Sequence, residues 1–150
     1  MMIKPNKKIE ISLKEMTYVA EMSLTIGIYL LTVGTFLGGM WANESWGRYW
    51  SWDPKETWAF VSVIVYAVVL HMRLVPGLRG KFAFNVAALW AVWTVIMTYF
   101  GVNYYLSGLH SYAAGDPIPI PFWVPATAVG MLLLSIGAWY MQNKVYKVKK

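Results

Sequence analysis

The sequence predicts an all-α polytopic membrane protein: a bundle of four transmembrane helices carrying an outward tryptophan-rich loop. Three observations predict this fold class. The 150 residues are 58% hydrophobic and only 13% charged, about half the roughly 25% charge of a soluble domain. Four apolar runs each reach the length of about 20 residues that crosses a bilayer. The charges between those runs sort by side. The same composition excludes a disordered chain, which needs low hydrophobicity and high charge. With no Cys in the sequence, disulfides, thiolate metal sites and thiol nucleophiles within the chain are excluded too.

The elements follow in order. A polar start carries Lys4, Lys7, Lys8 and Lys14 against Glu10 and Glu15. The first span runs over about 22–41, too long and too far from the start for a cleaved signal peptide. Glu21 stands at its edge, and Gly34 and Gly38 form a G-x-x-x-G pair of the kind that lets helices approach closely in lipid. The second span covers about 58–75, and the turn after it holds Arg73, Arg79 and Lys81 with no acid. The third covers about 82–102, with Ala83, Ala87 and Ala91 on one face, and the fourth about 122–141. Lys144, Lys147, Lys149 and Lys150 end the chain. The connections are short, which implies one domain over residues 1–150.

The basic regions are thus the two termini and the 73–81 turn, whereas the other two loops are net acidic. By the positive-inside rule, both termini face the cytoplasm and loops 42–57 and 103–121 face outward. The expected location is a bacterial cytoplasmic membrane or its equivalent. The net charge of +6 is therefore a topology signal, and no nucleic-acid partner is expected.

The first outward loop is W-A-N-E-S-W-G-R-Y-W-S-W-D-P-K-E-T-W. Trp41, Trp46, Trp50, Trp52 and Trp58 crowd into it beside Tyr49, out of nine Trp in the chain. The plainer reading is an interfacial aromatic belt. The other is a binding platform: a short interfacial helix would place Trp46, Tyr49 and Trp50 on one face, suited to a flat aromatic ligand. Asp53, Pro54 and Glu56 make a capping-box start for the second span. Arg48 and Lys55 are the cations of the outer side; they either meet carboxylates of an amphipathic ligand or pair with Glu44 and Glu56.

The two His are His71 and His110. His71 lies roughly 25 Å along the second helix from Pro54, inside the bilayer, where an ionisable group is a functional-site hypothesis. Glu21 is a candidate partner for it, and Trp90 and Trp93 lie mid-span in the third helix. His110, in G-L-H-S-Y, precedes the stiff run D-P-I-P-I-P and suits an axial iron ligand. At such different depths the two cannot hold one iron from opposite faces.

Taken together, W-G-R-Y-W-S-W-D-P-K-E-T-W, Y-A-V-V-L-H-M-R and F-G-V-N-Y-Y-L-S-G-L-H-S-Y closely resemble the WWD signature and its flanking histidine motifs in the CcsA (ResC) type of cytochrome c biogenesis protein. That family is the haem-handling component of the system II cytochrome c synthase, and the resemblance covers about residues 30–115. It implies haem b as the transported ligand and substrate, presented by the loop, with His110 and His71 as iron ligands at an outer and a membrane-embedded site. It implies attachment of haem to an apocytochrome c bearing a C-x-x-C-H motif, whose thiols add to the vinyl groups. In the family each haem takes two His, and none precedes His71 here. The chain therefore looks like the C-terminal portion of the family fold, and a partner membrane subunit is expected to supply the missing His as part of a split holocytochrome c synthase. The competing readings are a non-catalytic scaffold subunit and a haem carrier that forms no thioether bond.

Overall fold

In the computed structural model, which describes residues 7–109 and 119–147, the described residues are helical with no strand. Helix α1 spans Lys7–Trp46, α2 Pro54–His71, α3 Lys81–Ile96, the single turn α4 Val102–Tyr105, and α5 Trp123–Lys147. A 3₁₀ turn, Met72–Leu74, extends α2, and a π-turn, Met97–Gly101, joins α3 to α4. Four helical stretches are long and apolar enough to cross a membrane: α1, α2 with its 3₁₀ turn, α3 through α4, and α5.

The boundaries have local causes. At 40 residues, α1 is about 60 Å long, twice the hydrocarbon thickness. The polar start is therefore helical from Lys7 rather than a tail before the span. The helix stops because Gly47 takes a left-handed φ of +72° and its N–H donates to Asn43 O at 2.8 Å, a glycine C-terminal cap. Helix α2 begins where Asp53 caps it, with Pro54 at the first helical position. It ends in the turn at Gly77, φ +92°.

Helix α2 packs against both α1 and α3, and α5 lies along α3. Val69, Phe84 and Ala91 form the buried centre, with Leu24, Val65, Ala87 and Ala88 packed around them. Of the Ala83–Ala87–Ala91 face, Ala87 and Ala91 are in this packed centre. Gly34 and Gly38 are not: no atom lies within 4 Å of where their Cβ would stand, so this pair packs against no helix among the described residues. The sequence motif names a face that can be approached closely, and nothing here approaches it.

Polar clips join the helices. Asn85 Nδ2 donates to Thr17 Oγ1 at 3.1 Å between α3 and α1. Ser62 Oγ and Thr98 Oγ1 lie 3.2 Å apart between α2 and the π-turn, and Trp90 Nε1 donates to Ser135 Oγ at 3.2 Å between α3 and α5. Such bonds in lipid average about 0.6 kcal/mol each, so they select register more than they supply stability.

The same apolar residue type should matter unequally at two sites. Phe84 is 1% exposed and Phe36 is 74% exposed. Phe84→Ala should cost about 3 kcal/mol through lost packing and Phe36→Ala almost nothing, as read by thermal unfolding in detergent.

Candidate functional site

The tryptophan-rich loop is a short non-helical bridge stapled to the start of α2. Glu56 Oε2 accepts from Ser51 N at 2.8 Å, Ser51 Oγ at 3.2 Å and Asp53 N at 3.3 Å. Asp53 Oδ2 accepts from Lys55 N at 3.3 Å, and the Asp53 side chain also accepts from the Glu56 backbone N–H, which completes the capping box expected from D-P-K-E. Thr57 Oγ1 donates to Trp52 O at 3.2 Å. These bonds hold Trp52 at φ +58°, a left-handed conformation that costs a non-glycine residue of order 1–3 kcal/mol. The strain places its indole 69% exposed.

No interfacial helix forms. Gly47 separates Trp46 from Tyr49 with a backbone that a right-handed helix cannot contain, so Trp46, Tyr49 and Trp50 do not share a helical face. The aromatics pair edge-on instead. Trp41 and Trp46 ring centroids lie 5.1 Å apart at 77°, and Trp50 and Trp52 lie 5.8 Å apart at 89°. Trp50 also meets Phe60 at 6.3 Å. A single flat platform is therefore replaced by interlocked rings with exposed faces.

The loop borders two cavities. Trp41, Tyr49, Trp50 and Lys55 edge a groove of about 430 Å³ between α1 and α2, floored by Gly34 and Gly38. The loop sits so close to α1 because Gly39 has no side chain: a Cβ there would stand 3.0 Å from Tyr49 O. Trp58 faces elsewhere, lining a more apolar cavity of about 520 Å³ with Trp93, Phe100 and Tyr105. The five tryptophans thus do not converge on one space. Arg48 is exposed, while Lys55 is half-buried and its Nζ donates to Asn103 Oδ1 at 3.2 Å.

The segment after α4 is docked onto the same place. Leu109 N donates to Asp53 Oδ1 at 2.6 Å, so Asp53 holds a second loop as well as its own helix. A Cβ at Gly108 would collide with the Asp53 carboxylate and the Pro54 ring. His110 follows directly in the sequence and lies outside the described residues. Gly39, Asn103 and Gly108 are site residues that motif reading missed. A glycine beside a motif was the available signal for two of them, and Asn103 carried none.

At the other end, His71 is exposed and its Nδ1 lies 2.7 Å from Ala67 O. A carbonyl only accepts, so Nδ1 carries the proton in this contact and Nε2 is the ring's other nitrogen. Glu21 is not its partner. Glu21 Oε2 pairs instead with Arg73 Nη1 at 2.7 Å, and the Arg73 guanidinium lies 5.5 Å from the ring centroids of both Tyr18 and Phe84. No group of three or more His, Asp or Glu able to hold a metal occurs among the described residues.

Residues 3–110 match the family model described as cytochrome C assembly protein. The chain is 51% identical over 132 residues to protein NrfI of Wolinella succinogenes, covering 86% of this chain and 15% of that protein. It is 46% identical over 99 residues to the cytochrome c biogenesis protein CcsA of Prochlorococcus marinus, and 44% identical over 99 residues to CcsA of Cyanophora paradoxa. Those two matches cover 66% of this chain and 31% and 30% of the relatives. The chain therefore spans less than a third of the length of these curated relatives.

The glycines of α1 separate by test. Gly34→Ala and Gly38→Ala should raise stability by up to about 1 kcal/mol through helix propensity, whereas Gly39→Val should lift the loop and open it to cleavage. Limited proteolysis between residues 47 and 53 beside thermal unfolding reads both effects.

Proposed function

The chain belongs to the cytochrome c assembly protein family, and from that premise we propose that it binds haem b at its tryptophan-rich loop and presents it on the outer face of the membrane for attachment to apocytochrome c. A role in cytochrome c biogenesis, as a multi-pass membrane protein, follows from the family and the four apolar helices. The observation that carries the haem reading is the stapled loop itself: strained, rigid, rich in exposed indole, and set over a groove with Lys55 at its edge.

The residues fit such a substrate. A groove of about 430 Å³ lies in the range of about 300–1,000 Å³ typical of ligand pockets, and aromatic edges and faces favour a planar macrocycle. The Lys55 ammonium suits a haem propionate. His110 is the proposed axial ligand at the outer site, and His71, with Nδ1 tied to Ala67 O and Nε2 free to coordinate, is that at the membrane-embedded site.

Bound haem supplies the vinyl groups, and two apocytochrome thiols add across them. With no Cys of its own, the chain contributes orientation and exclusion of water rather than a nucleophile. His71 ends α2, whose 18 residues span about 27 Å, whereas Leu109, the residue before His110 in the sequence, is tied to Asp53 at the other end; on this reading the two His serve separate sites, and each takes a second ligand from elsewhere. A partner membrane subunit supplying it, and both termini on the cytoplasmic side, complete the proposal.

The isolated chain with its neighbouring membrane proteins should show reduced low-spin haem absorption. His110→Ala should abolish most of it, and Trp50→Ala should weaken haem retention about 2- to 10-fold, the equivalent of one aromatic contact. Unchanged haem content and cytochrome c yield in both variants would favour the scaffold reading. Reconstitution with reduced haem and a C-x-x-C-H peptide separates attachment from carriage: thioether product is expected, and haem transfer without it would mark a carrier.

A further inference from the structure

Two tryptophans, Trp90 and Trp93, stand mid-span in α3, and their indole N–H groups meet different fates. Trp90 Nε1 donates to Ser135 Oγ at 3.2 Å, as a buried indole ordinarily finds a partner. Trp93 Nε1 is sealed from solvent and has no hydrogen-bond partner, the only such side-chain atom among the described residues. An N–H left bare in hydrocarbon is a cost that a Phe at this position would not carry.

The same side chain lines the apolar cavity of about 520 Å³. One wall is the π-turn Met97–Gly101, a geometry often found at functional sites, held from the α2 side by the contact between Ser62 and Thr98. A Cβ at Gly101 would collide with the Met97 side chain, so the thioether folds over the turn. Phe100 is fixed between Tyr104, at 5.1 Å between centroids, and Trp123, at 5.8 Å and 89°. Trp58, Trp93, Phe100 and Tyr105 thus bring four aromatic side chains to one space, and no described residue lining it is charged. The Thr94 hydroxyl spends its hydrogen on Ala91 O at 2.8 Å.

Depth selects the occupant. The Lys81–Tyr105 stretch has 25 residues, about 37 Å of helix, and Trp93 is its midpoint. The hydrocarbon core is about 30 Å thick, so a diacyl lipid, whose ester carbonyls stay at the edge of that core, offers only methylene groups at this level. Haem brings two propionates and an iron, and the described lining holds neither a cation nor a His to meet them. The cavity suits a neutral molecule with a flat ring and an acceptor that travels with it to mid-membrane. We propose that the cavity between the π-turn and the start of α5 binds a neutral, carbonyl-bearing ring with an apolar tail, the chemistry of a membrane quinone, and that Trp93 Nε1 donates to a ring carbonyl. The indole has no bond within the bundle to give up, so turning its N–H to a ligand breaks no existing pair. Trp58 and Phe100 supply aromatic faces and edges for the ring.

The test uses the full chain purified with its membrane partners and two photoreactive probes, a decyl benzoquinone and a phosphatidylcholine, each with a diazirine in its tail. Labelled peptides and the concentration dependence of labelling are read by mass spectrometry in wild type, Trp93→Phe and Val124→Trp, with thermal unfolding to report that each variant folds. The quinone probe should label residues 93–105 and 120–124 saturably. Trp93→Phe keeps the aromatic bulk and removes the N–H, and should raise the half-saturating concentration about 2- to 10-fold, the loss of one hydrogen bond. Val124→Trp fills the cavity from α5 and should abolish saturable labelling; it carries the test if Trp93→Phe does not fold. Half-saturation unchanged in Trp93→Phe, or saturable labelling that survives in Val124→Trp, overturns the proposal. Saturable labelling by the phosphatidylcholine probe instead, or labelling spread without saturation over the lipid-facing helices, overturns it as well. Displacement of the quinone probe by haem also overturns it, and assigns the cavity to the haem site.

Discussion

The capping box at the start of α2 is the interaction on which the outer end of the molecule depends. A helix beginning at a membrane surface leaves its first N–H groups without partners, and Asp53 with Glu56 satisfies them. What distinguishes this cap is that both carboxylates are used beyond it. Glu56 gathers Ser51 as well as Asp53, drawing the chain into the bend that sets Trp52 in a left-handed conformation. Asp53 accepts from Leu109, so the second loop is registered to the first. Two carboxylates in one helical turn hold the arrangement of residues 51–57 and 108–109, and the strain at Trp52 persists because they over-determine it.

Below that end, the bundle is organised around α2. It alone contacts α1 and α3 extensively, while α1 and α5 present most of their apolar side chains outward. In lipid such exposure costs little, because hydrocarbon is as good a neighbour as leucine. The open Gly34–Gly38 face of α1 is the floor of the groove beside the tryptophan-rich loop.

Much was legible in the sequence where chemistry is local. The four spans and the Asp53–Glu56 box each follow from hydropathy or capping geometry within a few residues. The interfacial helix expected of Trp46, Tyr49 and Trp50 failed for a local reason that was also visible, since W-G-R-Y contains the glycine that ends α1. The Glu21–His71 pairing failed for a different reason. Glu21 pairs with Arg73, in the 3₁₀ turn that extends α2, whose long side chain rests on Tyr18 and Phe84.

The sequence by itself determined that this is a helical membrane protein of the cytochrome c assembly family, with aromatic residues crowded into one loop. Those properties depend on composition, period and motif, which are written residue by residue. Only the tertiary structure decided that Trp41 and Trp50 line one cavity and Trp58 another, that Gly39 rather than Gly34 or Gly38 bears the close approach, and that Asp53 reaches Leu109. Each of these is a contact between residues distant along the chain or a choice among equally permitted neighbours. A one-dimensional pattern specifies which face is apolar or small, but it does not say what the rest of the fold brings against that face.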